Sequence, residues 1–169
     1  MSTWSEADDR SGFAAAVARA VTGWALLGGA LLLAVVLVNV LSVLGGIMGF
    51  AVAGDFEMTE MGVAIAVFAF LPYCQLTDAN VSADIFTSGA SPTVLAVLRA
   101  LASLIAFGFA CILIWRMSLG MLDQKGYHYT TTILQIPIWW AFVPILISLA
   151  LLIAAAALSL LESLREARA

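Results

Sequence analysis

The residues whose types and spacing could carry chemistry are few, and most stand at the ends of long apolar runs. Glu57 and Glu60 are three apart, so a helix places both carboxylates on one face. Near a helix N-terminus they gain from its dipole. Capping with interface placement explains the pair, and so does a salt bridge or hydrogen bond to another subunit; an ion site has the least support. His128 is the single histidine, in Gly126-Tyr127-His128-Tyr129, and no Cys or His stands at ligand spacing from it. It reads as a solvated loop residue. Haem would need axial ligands within the apolar runs, which hold none. Cys74 and Cys111 both fall in apolar segments, where lone thiols act as small apolar side chains. No Ser/His/Asp set, HExxH, Walker loop or dinucleotide fingerprint occurs. Nothing catalytic is expected, and no cofactor or metal.

The elements that must position these residues follow from the apolar runs. Thirty-five residues between Arg19 and Asp55 include no Asp, Glu, Lys, Arg or His. A hydrocarbon core about 30 Å thick needs only about 20 helical residues. A similar run lies between Lys125 and Glu162, interrupted only by His128. The chain of 169 residues is 63% hydrophobic and 11% charged, against about a quarter charged in soluble domains. It is therefore expected to be an all-α integral membrane protein of one domain, residues 1–169. The net charge of −4, with no basic patch, excludes nucleic acid as a partner.

Four spans are expected, over about 21–44, 60–78, 93–116 and 133–160. Residues 1–19 mix Trp4, Phe13 and Val17 with Glu6, Asp8, Asp9, Arg10 and Arg19. They form a cytoplasmic segment, either a short interfacial helix anchored by Trp4 or a frayed polar tail. Arg99 sits in the first turns of the third span, where it can snorkel to the interface. Four spans put both termini on one side. With the N-terminus inside, Arg10, Arg19, Arg99, Arg165 and Arg168 are cytoplasmic, while Arg116 and Lys125 are outside. Five against two favours N-in and C-in. Trp139 and Trp140 then fall in an outer aromatic belt.

Packing signals recur along the spans. Gly45 and Gly49 form a GxxxG, and Ala102, Ala106 and Ala110 align small residues down one face of the third helix. Pro72 lies mid-helix and frees the carbonyl of Phe68, so Pro72 to Gln75 is expected to face protein. Pro137 is expected in the first turns of the last helix, and Pro144 is expected to kink it. Ionisable groups are nearly absent from the deep spans, where a pump or ion pathway would need them. A scaffold or accessory subunit suits this chain better.

Several stretches resemble one family. Glu57-Met58-Thr59-Glu60, then Phe70-Leu71-Pro72-Tyr73-Cys74-Gln75, then Asn80-Val81-Ser82-Ala83-Asp84, are similar to the small, DctQ-like membrane subunit of TRAP (tripartite ATP-independent periplasmic) transporters. Thr132-Ile133-Leu134-Gln135-Ile136-Pro137-Ile138-Trp139 is similar to the family's entry to the fourth helix. Many members carry a His where Asn80 stands, so a role that depends on that His is not carried over to this chain. The resemblance implies a multi-pass protein of a bacterial inner membrane. Its partners would be a large membrane subunit, which carries an organic acid inward on an ion gradient, and a periplasmic substrate-binding protein that delivers it. Candidate subunit-contact residues are Glu57, Glu60, Gln75, Asn80, Asp84 and Arg99. The alternatives are the small subunit of a tricarboxylate tripartite transporter, a stand-alone small multidrug exporter with Glu60 as its carboxylate, and a four-helix assembly factor.

Overall fold

A computed structural model describes residues 12–50, 52–77 and 92–166 of the chain. They form four helices: α1 (Gly12–Ile47), α2 (Asp55–Leu76), α3 (Pro92–Gly126) and α4 (Trp139–Glu166). No strand occurs among the described residues, only an isolated antiparallel bridge between Thr130 and Pro137. All four helices are long and apolar enough to cross a membrane. In space α2 and α4 are the inner pair, α1 lies on α2, and α3 lies on α4.

α1 and α3 are longer than their apolar runs require. At 36 and 35 residues they extend about 54 and 52 Å, well beyond a hydrocarbon core of about 30 Å. Residues 12–19 continue into the first span without a break, so no separate interfacial helix exists among the described residues. Trp4 lies outside them. α3 runs on from Arg116 to Gly126 because no proline or αL residue stops it. α4 begins at Trp139, not at Ile133. Gln135 has φ of 56°, which a helix cannot accommodate, and Pro137 sits in the bridge ahead of the helix.

Buried residues on α1, among them Ala14, Ala18, Val21, Ala25, Gly28, Val35 and Ser42, recur every three, four or seven positions. This is the period of one helix face. Close approach to α2 is made where glycines face side chains. A Cβ on Gly28 would lie 2.7 Å from the Ala69 methyl, and one on Gly62 would overlap Val35. The Gly45/Gly49 pair does something else. Gly49 leaves the helix with φ of 89°. The Phe50 amide donates to the Gly45 carbonyl at 2.8 Å and the Gly49 amide to that of Gly46 at 3.4 Å. This is a Schellman stop, and a Cβ on Gly45 would strike the Phe50 carbonyl. The GxxxG therefore ends α1 and leaves helix packing to other glycines.

α3 meets α4 through Ala110, Ile145, Leu149 and Leu152, with Ile65, Phe68 and Leu71 of α2 packed against the same cluster. Of the alanine stripe, only Ala110 is buried; Ala106 is half-buried and Ala102 exposed. Pro72 and Gln75 face the interior as expected, but Tyr73 is exposed. Replacing Gly28 or Gly62 by Leu is expected to force α1 and α2 apart. The cost should be about 1–3 kcal/mol, read as a lower unfolding midpoint in detergent with little change in helix content.

Candidate functional site

Polar side chains collect where α1 ends, α2 begins and the α3–α4 loop returns. On α1, the Asn39 side-chain amide donates to the Val35 carbonyl at 2.8 Å and to the Thr59 hydroxyl at 2.6 Å. Thr59 donates to the Asp55 carbonyl at 2.7 Å. The Ser42 hydroxyl donates to one Asp55 oxygen, and the Phe56 amide to the other at 2.8 Å. Asp55 therefore does two jobs. It satisfies one of the open amides of the first turn of α2, and it ties that turn to α1. Gly54, in the left-handed region with φ of 77°, turns the chain into the helix, and a Cβ there would run into the Leu134 side chain.

Glu57 grips the returning loop. Its carboxylate accepts the Ile133 amide at 2.7 Å and the Leu134 amide at 2.9 Å. Bonds to an ionised acceptor are shorter and stronger than neutral ones. The loop is also braced internally. The Thr131 amide donates to the Ile136 carbonyl at 2.9 Å, and the Ile138 amide to that of Tyr129 at 3.1 Å. The Ile136 amide donates to the Thr131 hydroxyl at 3.1 Å. Lys125 places its ammonium 5.2 Å from the Trp139 ring centre, joining the end of α3 to the start of α4. Tyr127, Tyr129 and Trp140 stay exposed around this end of the bundle.

Deeper in the bundle, polar contacts are self-contained. The Trp24 indole N–H donates to the Ser148 hydroxyl at 2.8 Å, which donates to the Pro144 carbonyl at 2.8 Å. Between α1, α2 and α4 an opening of about 270 Å³ is lined by Trp24, Leu27, Gly28, Leu31, Ile65 and Ala69. None of these is ionisable.

The six candidate contact residues are not brought into one site. Glu57 and Glu60 share the start of α2, but Glu57 is committed to the loop whereas Glu60 is exposed. Gln75 lies buried toward the other end of α2, where its carbonyl faces the Ser159 hydroxyl at 3.4 Å. Arg99 is exposed near the start of α3, and Asn80 and Asp84 lie outside the described residues. Sequence reasoning passed over Asn39, Ser42 and Asp55. Their signal is legible in hindsight: Asn39 and Ser42 are polar residues three apart near the end of a long apolar run, hence on one face.

A family model described as tripartite ATP-independent periplasmic transporters, DctQ component, matches residues 32–166. No curated protein and no solved structure matches the chain.

Glu57→Ala should leave the Ile133 and Leu134 amides without acceptors. Glu57→Gln keeps one acceptor oxygen but turns an NH2 donor on the other amide. Amide exchange at these two positions is expected to speed up by roughly tenfold or more in both variants, more in the alanine one, with the four helices intact. Exchange unchanged from wild type would show that the loop's own bonds hold it.

Proposed function

Because the chain belongs to the DctQ component family of tripartite ATP-independent periplasmic transporters, we propose that it is the small membrane subunit that braces a large transport subunit in a bacterial inner membrane. The large subunit carries the solute, an organic acid handed over by a periplasmic binding protein, and an ion gradient drives its entry. The observation behind this reading is the apolar interior. Where α2, α3 and α4 meet, the contacts are Ile65, Phe68, Leu71, Ala110, Leu113 and Ile145, and the opening beside α1 holds no ionisable group. A carboxylate solute and its counter-ion need charged or polar partners along the route. Inside this bundle the described polar groups bond to one another, and Arg116 stands on the outer face of α3, so its work is mechanical: four helices cross-tied at one end by Asp55 and Glu57.

In the arrangement with N- and C-termini inside, the Asp55–Glu57 junction and the loop at 127–138 face the periplasm. They stand where a binding protein would approach. The exposed Glu60 carboxylate is then available to a partner, and Glu57 acts on a partner only through the loop it holds.

Three measurements test the proposal. Tagged chain co-expressed with the large subunit should retain it through mild-detergent purification, and vesicles containing this chain alone should accumulate no solute down an imposed cation gradient. Glu60→Gln should weaken recovery of the large subunit or transport while leaving insertion of the isolated chain unchanged. Solute accumulation by the chain alone would overturn the assignment.

A further inference from the structure

Arg116 stands exposed on α3, and none of the described residues pairs with it. It lies nine positions before Lys125 and seventeen after Arg99, within one unbroken helix and not in an outer loop as the charge count took it; without Arg116 that count is five against one and favours the same orientation. Along the axis that is about 13 Å from the level of Lys125 and about 25 Å from Arg99. Lys125 over the Trp139 ring, with Tyr127 and Trp140 exposed nearby, marks an interface of aromatic and basic groups. The stretch from Arg99 to Lys125, about 39 Å, matches a bilayer with its headgroup regions. With a hydrocarbon core of about 30 Å centred between them, the Arg116 backbone sits about 9 Å inside the core's edge.

The side chain is also aimed the wrong way for escape. Cα–Cβ bonds tilt toward a helix N-terminus, and for α3 that is the end away from Lys125. The guanidinium therefore leads toward the bilayer centre. Snorkelling serves arginines near helix ends, and Arg116 is not one of them. Leu98, Ile105, Phe109, Ile112 and Leu119 share its helix face by spacing, and all are exposed. The adjoining face, with Ala110, Leu113, Ile114 and Met117, is the one packed against α4 and α2. The outer face of α1 is equally exposed and apolar, with Leu26, Leu33 and Leu37, and its one charge, Arg19, stands near the helix start, where a long side chain reaches the interface. Lipid alone satisfies α1; it does not satisfy α3.

We propose that this face of α3 is where the large membrane subunit docks, with Arg116 ion-paired to a carboxylate of that subunit inside the bilayer. The inference rests on the reading of the chain as a small transporter subunit. An apolar stripe with one buried guanidinium calls for a partner that is apolar and offers a single acid, and a planar guanidinium binds such a group through two parallel hydrogen bonds.

The test uses full-length chain co-expressed with the large subunit. A photo-crosslinking residue at Ile112 should capture the large subunit, and one at Leu37 on α1 should not. Arg116→Leu should lower recovery of the large subunit by about tenfold or more, with Arg116→Lys falling between that variant and wild type. Both variants should insert as wild type does. Recovery of Arg116→Leu complex within about twofold of wild type would overturn the inference and leave the functional reading standing. Capture from Leu37 instead of Ile112, or labelling of phospholipid alone from Ile112, would overturn it in the same way. Because the cross-link is read with Arg116 in place, it decides the question even if a substitution impairs folding. Failure of wild-type chain to retain any large subunit would remove the functional reading and this inference together.

Discussion

Inside a bilayer, helices gain little by hiding apolar surface from one another, because lipid is as apolar as leucine. What holds this bundle is therefore contact at short range and polar groups bonded across helices. Gly28 and Gly62 let α1 and α2 approach until the Ala69 and Val35 side chains touch backbone. At the end of those two helices Asn39 and Ser42 bond to Thr59 and Asp55. Remove the glycines and the polar pairs lose their reach; remove the polar pairs and the glycine contact has nothing to set its register.

The α3–α4 side is organised differently. Ala110 is fully buried there, and larger residues of α2 and α4 pack around it. α4 is the most enclosed of the four helices, and α3 the least. The two sides are joined at one end by Glu57, whose carboxylate reaches from α2 to the loop that starts α4. Because α2 is the shortest helix and lies between its neighbours, an anchor at its first turn sets the level of everything around it. The family assignment and this architecture agree: Asn39, Ser42, Asp55, Glu57 and Ser148 are spent on holding helices together.

Two prolines stand inside helices with polar side chains close by. Pro72 is fully buried within α2, and Gln75 beside it is turned inward. Pro144 lies near the start of α4, where Ser148 donates to its carbonyl and Trp24 of α1 donates to Ser148. The hydroxyl bonds back to its own helix and also ties α4 to α1.

The uncharged runs from Ala20 to Gly54, Met61 to Thr77 and Tyr129 to Leu161 are each long enough to cross hydrocarbon, and with the apolar stretch from Pro92 to Arg116 they let four helices be read without any knowledge of their neighbours. The family was legible in the same way, from short motifs along α2 and before α4. The pairing of Glu57 with Glu60 on one helix start was also visible, because a spacing of three is a local property. The use of Glu57 was not: its partners lie seventy-six and seventy-seven residues further on. Nor could Gly45 and Gly49 be told apart from a packing motif until the Phe50 amide was seen to close back on Gly45. The start of α4 at Trp139 depended likewise on a left-handed Gln135. Hydropathy and helical period sum over neighbouring residues and so survive in the sequence. The choice of one hydrogen-bond partner among many depends on which backbone amides the fold brings within about 3 Å, and only tertiary structure decides that.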